Sequence, residues 1–182
     1  MTSDSGRLLW TGVAVLLWLA LVAVVVWREA RARRQVRQGL AAPETDQSVL
    51  VAFASQTGFG EDLASMTAET LRRGGLSARV APLDQVDAGT LQTCGRALLI
   101  VSTTGEGDPP DNAARFVRRV MTEAPHLSGL RYGLLALGDR DYDRFCGFGF
   151  AVDGWLRRAG AEPLFDLVEV DNGDAGDRKS VV

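Results

Sequence analysis

Histidine is almost missing from this chain, where His126 is the single one among 182 residues. That leaves no material for a His-rich metal site or for a Ser-His-Asp triad. Cysteine is nearly as scarce: Cys94 and Cys146 form no Cys-x-x-Cys pair, and neither heads the Cys-x5-Arg loop of a small phosphatase. Both are expected as reduced thiols, with Cys94 in the core. An excess of positive charge is also lacking. The net charge is −3 and no basic stretch is interleaved with aromatics, so nucleic acid is not an expected partner. Neither Gly-x-x-x-x-Gly-Lys-Ser/Thr nor Gly-x-Gly-x-x-Gly occurs, which argues against a nucleoside triphosphate. Internal repeats and low-complexity tracts are absent as well.

What the chain does have begins with one long uncharged run. Residues 8–27, Leu8 to Trp27, contain no charged side chain; at about 1.5 Å rise per residue such a helix matches a hydrocarbon core of roughly 30 Å. A single transmembrane helix is expected there, after a short tail at 1–7, with Trp10 and Trp27 near the two interfaces. A cleaved signal peptide is the alternative, but its apolar region is shorter and its basic cluster comes first. Here Arg28, Arg31, Arg33, Arg34 and Arg37 follow the span and Arg7 alone precedes it. The domain beyond is therefore expected on the cytoplasmic side of an inner or plasma membrane, after a basic flank and linker at 28–48.

From Val49 onward, apolar runs alternate with amphipathic stretches. Val49–Ala54 and Ala97–Val101 are continuous apolar strands without polar alternation, as expected of parallel strands covered on both faces. Ala78–Leu83, Arg131–Leu137 and Pro163–Val170 complete five expected strands. Between them, Ala64, Thr67, Ala68 and Leu71 share a helical face closed by Gly74-Gly75, and Asp84–Thr93 is a short helical segment. Asp111 is expected to cap a helix carrying Ala113, Val117, Val120 and Met121, and Val152, Trp155, Leu156 and Ala159 mark another that ends at Gly160. Strict alternation of this kind means a three-layer α/β fold. The tail at 173–182 is too polar and glycine-rich for an amphipathic helix over the last strand, so one face of the sheet edge is expected to lie open.

Three loops leave the carboxyl ends of the first, third and fourth strands, where ligands sit in open parallel sheets. The first, Ser55 to Gly60, offers hydroxyls from Ser55 and Thr57, the Gln56 amide and consecutive backbone N–H groups at a helix start, with no Lys or Arg. This suits a terminal phosphate held by backbone amides and the helix dipole. In the second loop Gly105 and Gly107 permit close backbone approach or positive φ, and Pro109-Pro110 stiffen the exit. The third carries Tyr142 and Phe145, and an exposed aromatic near a phosphate site invites a flat ring to stack. Tyr142 as a rim residue packed on its own loop is the competing reading; Phe145 is expected in the core.

Ser-Gln-Thr-Gly at Ser55 to Gly58, Ser-Thr-x-Gly-Glu-Gly-Asp-Pro-Pro-Asp-Asn at Ser102 to Asn112, and Leu-Gly-Asp-x-x-Tyr-x-x-Phe-Cys at Leu137 to Cys146 occur in this order. With them, residues 49–172 resemble the flavodoxin-like FMN domains of diflavin reductases, a group that includes the sulfite reductase flavoprotein and the microsomal reductase serving haem monooxygenases. The resemblance implies a flavodoxin-like three-layer sandwich with a five-stranded parallel sheet in the order 2-1-3-4-5. It implies FMN as cofactor, the phosphate on Ser55, Gln56, Thr57, Gly58 and Gly60. The ring would lie between Thr104 and Tyr142, contacted by Ser102, Thr103, Gly105, Leu137, Gly138, Asp139, Phe145 and Cys146, with Gly107 and Asp171 at its border. Two positions depart from the pattern. Phe59 replaces a small polar side chain, which removes one phosphate hydrogen bond, and Thr104 stands where the microsomal type has a second stacking aromatic.

The implied activity is single-electron transfer by a membrane-tethered FMN domain, between a donor reductase and a haem or iron-sulfur acceptor protein. No catalytic side chain and no metal is expected, because the cofactor carries the redox chemistry. Asp108, Asp139, Asp141, Asp143 and Asp171 crowd the expected flavin edge; they disfavour added negative charge on the reduced flavin and attract a basic partner. Two rival readings stay open: a self-sufficient NAD(P)H-dependent FMN or quinone reductase, and a flavin-free tethered interaction domain.

Overall fold

The two apolar runs singled out by the sequence and the expected fourth strand become the centre of one parallel sheet, as β1 (Val49–Ala54), β3 (Arg96–Ser102) and β4 (Arg131–Gly138). The computed structural model describes residues 48–171. The expected membrane span at 8–27, its flanks before residue 48 and the polar tail at 173–182 lie outside the described residues. Among the described residues no helix is long and apolar enough to cross a membrane.

With β2 (Ala78–Pro82), β5 (Glu162–Pro163) and β6 (Val168–Asp171), the strands run in the order β2-β1-β3-β4-β5, β6 also pairing with β4. This is the expected 2-1-3-4-5 arrangement. The register places Ala52 beside Ala81 on one side and Leu99 on the other, and Ile100 beside Leu135. The fifth strand departs from expectation by splitting in two. After the Leu164 amide donates to the Tyr132 carbonyl at 2.7 Å, residues 165–167 leave the ladder and the Phe165 ring folds over Gly133, where a Cβ would lie 2.3 Å from Phe165 Cζ. Only a residue without a side chain leaves room for that ring.

Alternation along the strands divides the apolar side chains between two faces. Leu50, Leu99, Leu134 and Tyr132 meet α2 (Ala88–Thr93), α3 (Ala114–Arg119) and α4 (Gly147–Arg158) through Leu91, Phe116, Val152, Trp155 and Leu156. Phe116 and Trp155 pack edge to face at 5.5 Å. Val51, Phe53 and Ile100 meet α1 (Phe59–Arg73) through Leu63, Ala64 and Ala68. Thr67 and Leu71, expected on the buried stripe, are half-buried, because the stripe is turned toward Leu63. Among the described residues α1 is the one helix on this second face. Leu98 and Leu135 are only half-buried there, and Leu164, Phe165 and Val168 nearby are exposed.

Two helix starts also differ from expectation. The segment expected at Asp84–Thr93 is a 3-10 turn, Leu83–Gln85, followed by α2. Asp87 caps α2 by accepting the Thr90 amide at 2.7 Å, and that bond holds its carboxyl below the usual range. Asp111, expected as a cap, instead opens a 3-10 turn, Asp111–Ala113, that leads into α3 and has no side-chain cap. Pro110 before it is held extended at φ −66° and ψ 159°, so the chain enters the turn from a fixed direction.

Candidate functional site

The first loop joins β1 to α1 and is closed from within. Ser55 is buried, its hydroxyl accepts the Gly60 amide at 3.3 Å, and its own amide donates to Asn112 Oδ1 at 3.0 Å. A Cβ on Gly60 would lie 2.8 Å from Ser55 Cβ, so glycine is required for this closure. Gly58, at φ +81°, is the N-cap of α1 and offers no side-chain cap. No acceptor among the described residues takes the amides of Gln56, Thr57 and Gly58. These amides, the exposed side chains of Gln56 and Thr57 and a helix N-terminus form a donor set without a fixed positive charge, which fits a phosphate monoester. Glu61 and Asp62 in the first turn oppose the anion in part. Phe59 is half-buried and packs against the second-face core.

The second loop is a tight hairpin. Thr104 and Asp108 exchange backbone hydrogen bonds at 2.9 and 2.8 Å, and the Thr104 hydroxyl adds a third to the Asp108 carbonyl at 3.0 Å. Gly105 at φ +49° and Gly107 at φ +108° make the reversal possible. Ser102 is buried, and Thr103 ties this loop to the third: its amide donates to the Leu137 carbonyl at 2.8 Å and its hydroxyl accepts the Phe148 amide at 3.2 Å. The two loops also touch backbone to backbone, since a Cβ on Gly147 would lie 3.2 Å from Gly107 Cα.

The third loop leaves β4 at Gly138 and returns over it. Asp139 shapes its turn, accepting the Asp141 amide on Oδ1 at 2.9 Å and the Tyr142 amide on its carbonyl at 3.2 Å. Tyr142 stands 44% exposed on the rim, with its ring free to stack. The Arg140 guanidinium lies 5.2 Å from the centre of the half-buried Phe145 ring and pairs with Asp171 at 3.9 Å. Cys146 is the one non-glycine residue at positive φ among the described residues, at 53°. Its thiol is fully buried and donates to the Ala136 carbonyl at 3.3 Å, and burial pushes it up to about 11. Like Leu137, whose side chain lies wholly in the core, Cys146 has only its backbone to offer a ligand.

The three loops that the sequence brings forward thus meet at the carboxyl edge of the sheet, and hydrogen bonds cross-link them. Three contributors were not visible in the sequence. Asn112 takes the Ser55 amide, Arg144 backs Gly107 with its Cδ 2.9 Å from a Cβ position there, and the Phe148 amide holds Thr103. Among the described residues no group of His, Cys, Asp or Glu side chains is placed to hold a metal ion.

The flavodoxin family model matches residues 51–181. The sulfite reductase [NADPH] flavoprotein alpha-component of Shewanella oneidensis is 37% identical over 138 residues, 75% of this chain and 23% of that protein. Methionine synthase reductase of Caenorhabditis elegans is 39% identical over 127 residues, 68% of this chain and 19% of that protein. The NADPH–cytochrome P450 reductase of Salmo trutta is 33% identical over 129 residues and is covered over 22% of its length. The chain therefore spans less than a quarter of the curated relatives it matches. Among solved structures, a flavodoxin of Streptococcus pneumonia TIGR4 superposes with a TM-score of 0.64 at 30% identity, over 74% of this chain and 92% of that one. A match over most of the folded residues, a flavodoxin-ordered sheet and three interlocked loops at its carboxyl edge carry one conclusion: the chain belongs to the flavodoxin family, whose cofactor is FMN.

Proposed function

We propose that the chain is a membrane-tethered FMN domain that passes single electrons between a reductase and an acceptor protein. FMN supplies the capacity to take up and release electrons one at a time. The protein binds the phosphate through the 55–60 loop, stacks the ring on Tyr142 and keeps one edge open. The observation that carries the reading is the loop architecture: three loops braced against one another at the carboxyl edge of the sheet leave the amides of Gln56, Thr57 and Gly58 without an acceptor among the described residues and the Tyr142 ring exposed. The rim is acidic, with Glu106, Asp108, Asp141 and Asp143 exposed and Asp139 half-buried. Arg140 and Arg144 offset part of that charge, and Arg140 is itself paired with Asp171. The remaining carboxylates favour a basic partner and disfavour added negative charge on the flavin. Support for tethering, and for a cytoplasmic position of the domain, comes from the uncharged run at 8–27 and the arginines after it.

Stopped-flow mixing of the reduced, FMN-loaded full chain with an oxidised basic haem protein tests the electron-transfer role. Rapid transfer that slows as salt rises is expected. Steady NADPH oxidation by the chain alone would instead favour a self-sufficient reductase. For topology, protease added outside intact cells expressing the chain is expected to spare the domain; its digestion there would contradict the proposed orientation.

A further inference from the structure

Asn112 sits in the 3-10 turn Asp111–Ala113, and its Oδ1 accepts the Ser55 amide across 57 residues of chain. The turn is held from below. Pro110 and Ala113 are buried, the Ala113 amide donates to the Pro110 carbonyl at 2.8 Å, and Phe116 in the following helix is fully buried. Asn112 is thereby held on a turn that is itself anchored in the core. With the Ser55 amide taken at one end and the Gly60 amide taken by the Ser55 hydroxyl at the other, the first loop is pinned at both ends. The amides left between them are the ones available to a phosphate. A second, weaker contact runs in parallel, from Gln56 Nε2 to Asp111 Oδ2 at 3.5 Å.

We infer that Asn112 is a positioning residue: by accepting the Ser55 amide it sets the phosphate-binding loop and so determines the preference for a phosphorylated flavin over an unphosphorylated one. The inference rests on FMN being the cofactor. Without the Asn112 acceptor, the part-buried Ser55 amide loses its partner, and the loop reorients to recover one. That reorientation disturbs the phosphate donors and leaves the ring site, built on 102–108 and 138–146, in place.

The test is fluorescence titration of the apo full chain with FMN and with riboflavin, together with hydrogen exchange at the Ser55 amide. The unaltered chain is expected to bind FMN more tightly than riboflavin and to protect the Ser55 amide. Asn112→Ala is expected to weaken FMN about tenfold, to leave riboflavin within about threefold and to expose the Ser55 amide. Asn112→Asp, which retains an acceptor oxygen, is expected to keep that amide protected and riboflavin affinity unchanged. Equal loss of both flavins in Asn112→Ala, unchanged FMN affinity, or an unprotected Ser55 amide in Asn112→Asp would overturn the role of Asn112. An unaltered chain that binds neither flavin would overturn the cofactor reading itself.

Discussion

Gly138→Ala is the perturbation whose outcome follows most directly from the packing around the flavin loops. A Cβ at Gly138 would lie 2.7 Å from the Cys146 backbone nitrogen, 2.8 Å from Cys146 Sγ and 2.8 Å from Phe145 Cδ2. Comfortable separations between such atoms are about 3.5–4.0 Å, so the neighbours must retreat by roughly an ångström. Rotating a side chain does not solve the problem, because the nearest atom belongs to the backbone. Cys146 already sits at φ 53°, its thiol anchored on Ala136, and α4 begins at the next residue. The third loop therefore lifts from the end of β4. Overpacking of this kind costs about 1–3 kcal/mol, and contact with fixed backbone places Gly138→Ala in the upper half of that range. With an m-value of about 2 kcal/mol/M in urea, a loss of about 2 kcal/mol moves the unfolding midpoint down by about 1 M. The displaced loop carries Tyr142, so FMN affinity is expected to fall about tenfold as well. Urea unfolding followed by circular dichroism reads the first effect, and quenching of FMN fluorescence the second. An unchanged midpoint with unchanged affinity would refute the close return of the loop over Gly138.

Tyr142→Ala is expected to weaken FMN by about 1 kcal/mol, since stacked rings contribute about 0.5–1.5 kcal/mol beyond their buried area; unchanged affinity in a titration would make Tyr142 a rim residue only. Tyr132 is buried and donates to Asp153 Oδ1 at 2.6 Å, and burial, followed by that bond, raises its phenol well above the ordinary value. A phenol raised in the folded state adds stability that is complete below about pH 10, its unfolded value, and is lost as pH climbs beyond it. Tyr132→Phe is expected to cost about 0.5–1.5 kcal/mol at neutral pH and to flatten the alkaline fall; urea midpoints measured from pH 7 to pH 11 check both. At pH 8 the Cys146 thiol, buried and raised to about 11, is expected to resist alkylation in the folded chain, while the half-exposed Cys94 reacts first; peptide mapping after brief alkylation distinguishes the two.

Two central strands were legible because a strand covered on both faces needs an unbroken apolar run, and Val49–Ala54 and residues 97–101 within Arg96–Ser102 supply them. The split of the fifth strand was not, since it depends on the Phe165 ring meeting Gly133, 32 positions earlier and on another strand. Asp87 and Asp111 show the limit for helix starts. Both precede amphipathic segments, yet only Asp87 caps, because Pro110 fixes the approach to Asp111 and a 3-10 turn follows. At the site, glycines, hydroxyls and Tyr142 marked the loops correctly as loops. What the sequence hides is which polar groups are spent internally: the Ser55 and Gly60 amides look like phosphate donors until Asn112 and the Ser55 hydroxyl are seen to take them. Cys146 was equally opaque, since nothing in its local pattern announces a left-handed cysteine with its thiol turned into the core.

The central claim, a site built for FMN, is tested most directly by titrating the purified apo full chain with FMN and following both flavin fluorescence and visible absorption. Saturation at a single equivalent of FMN, with quenched fluorescence and a perturbed flavin band, is the predicted result. Fluorescence that rises in proportion to added FMN, with no saturation and no spectral change, would contradict it.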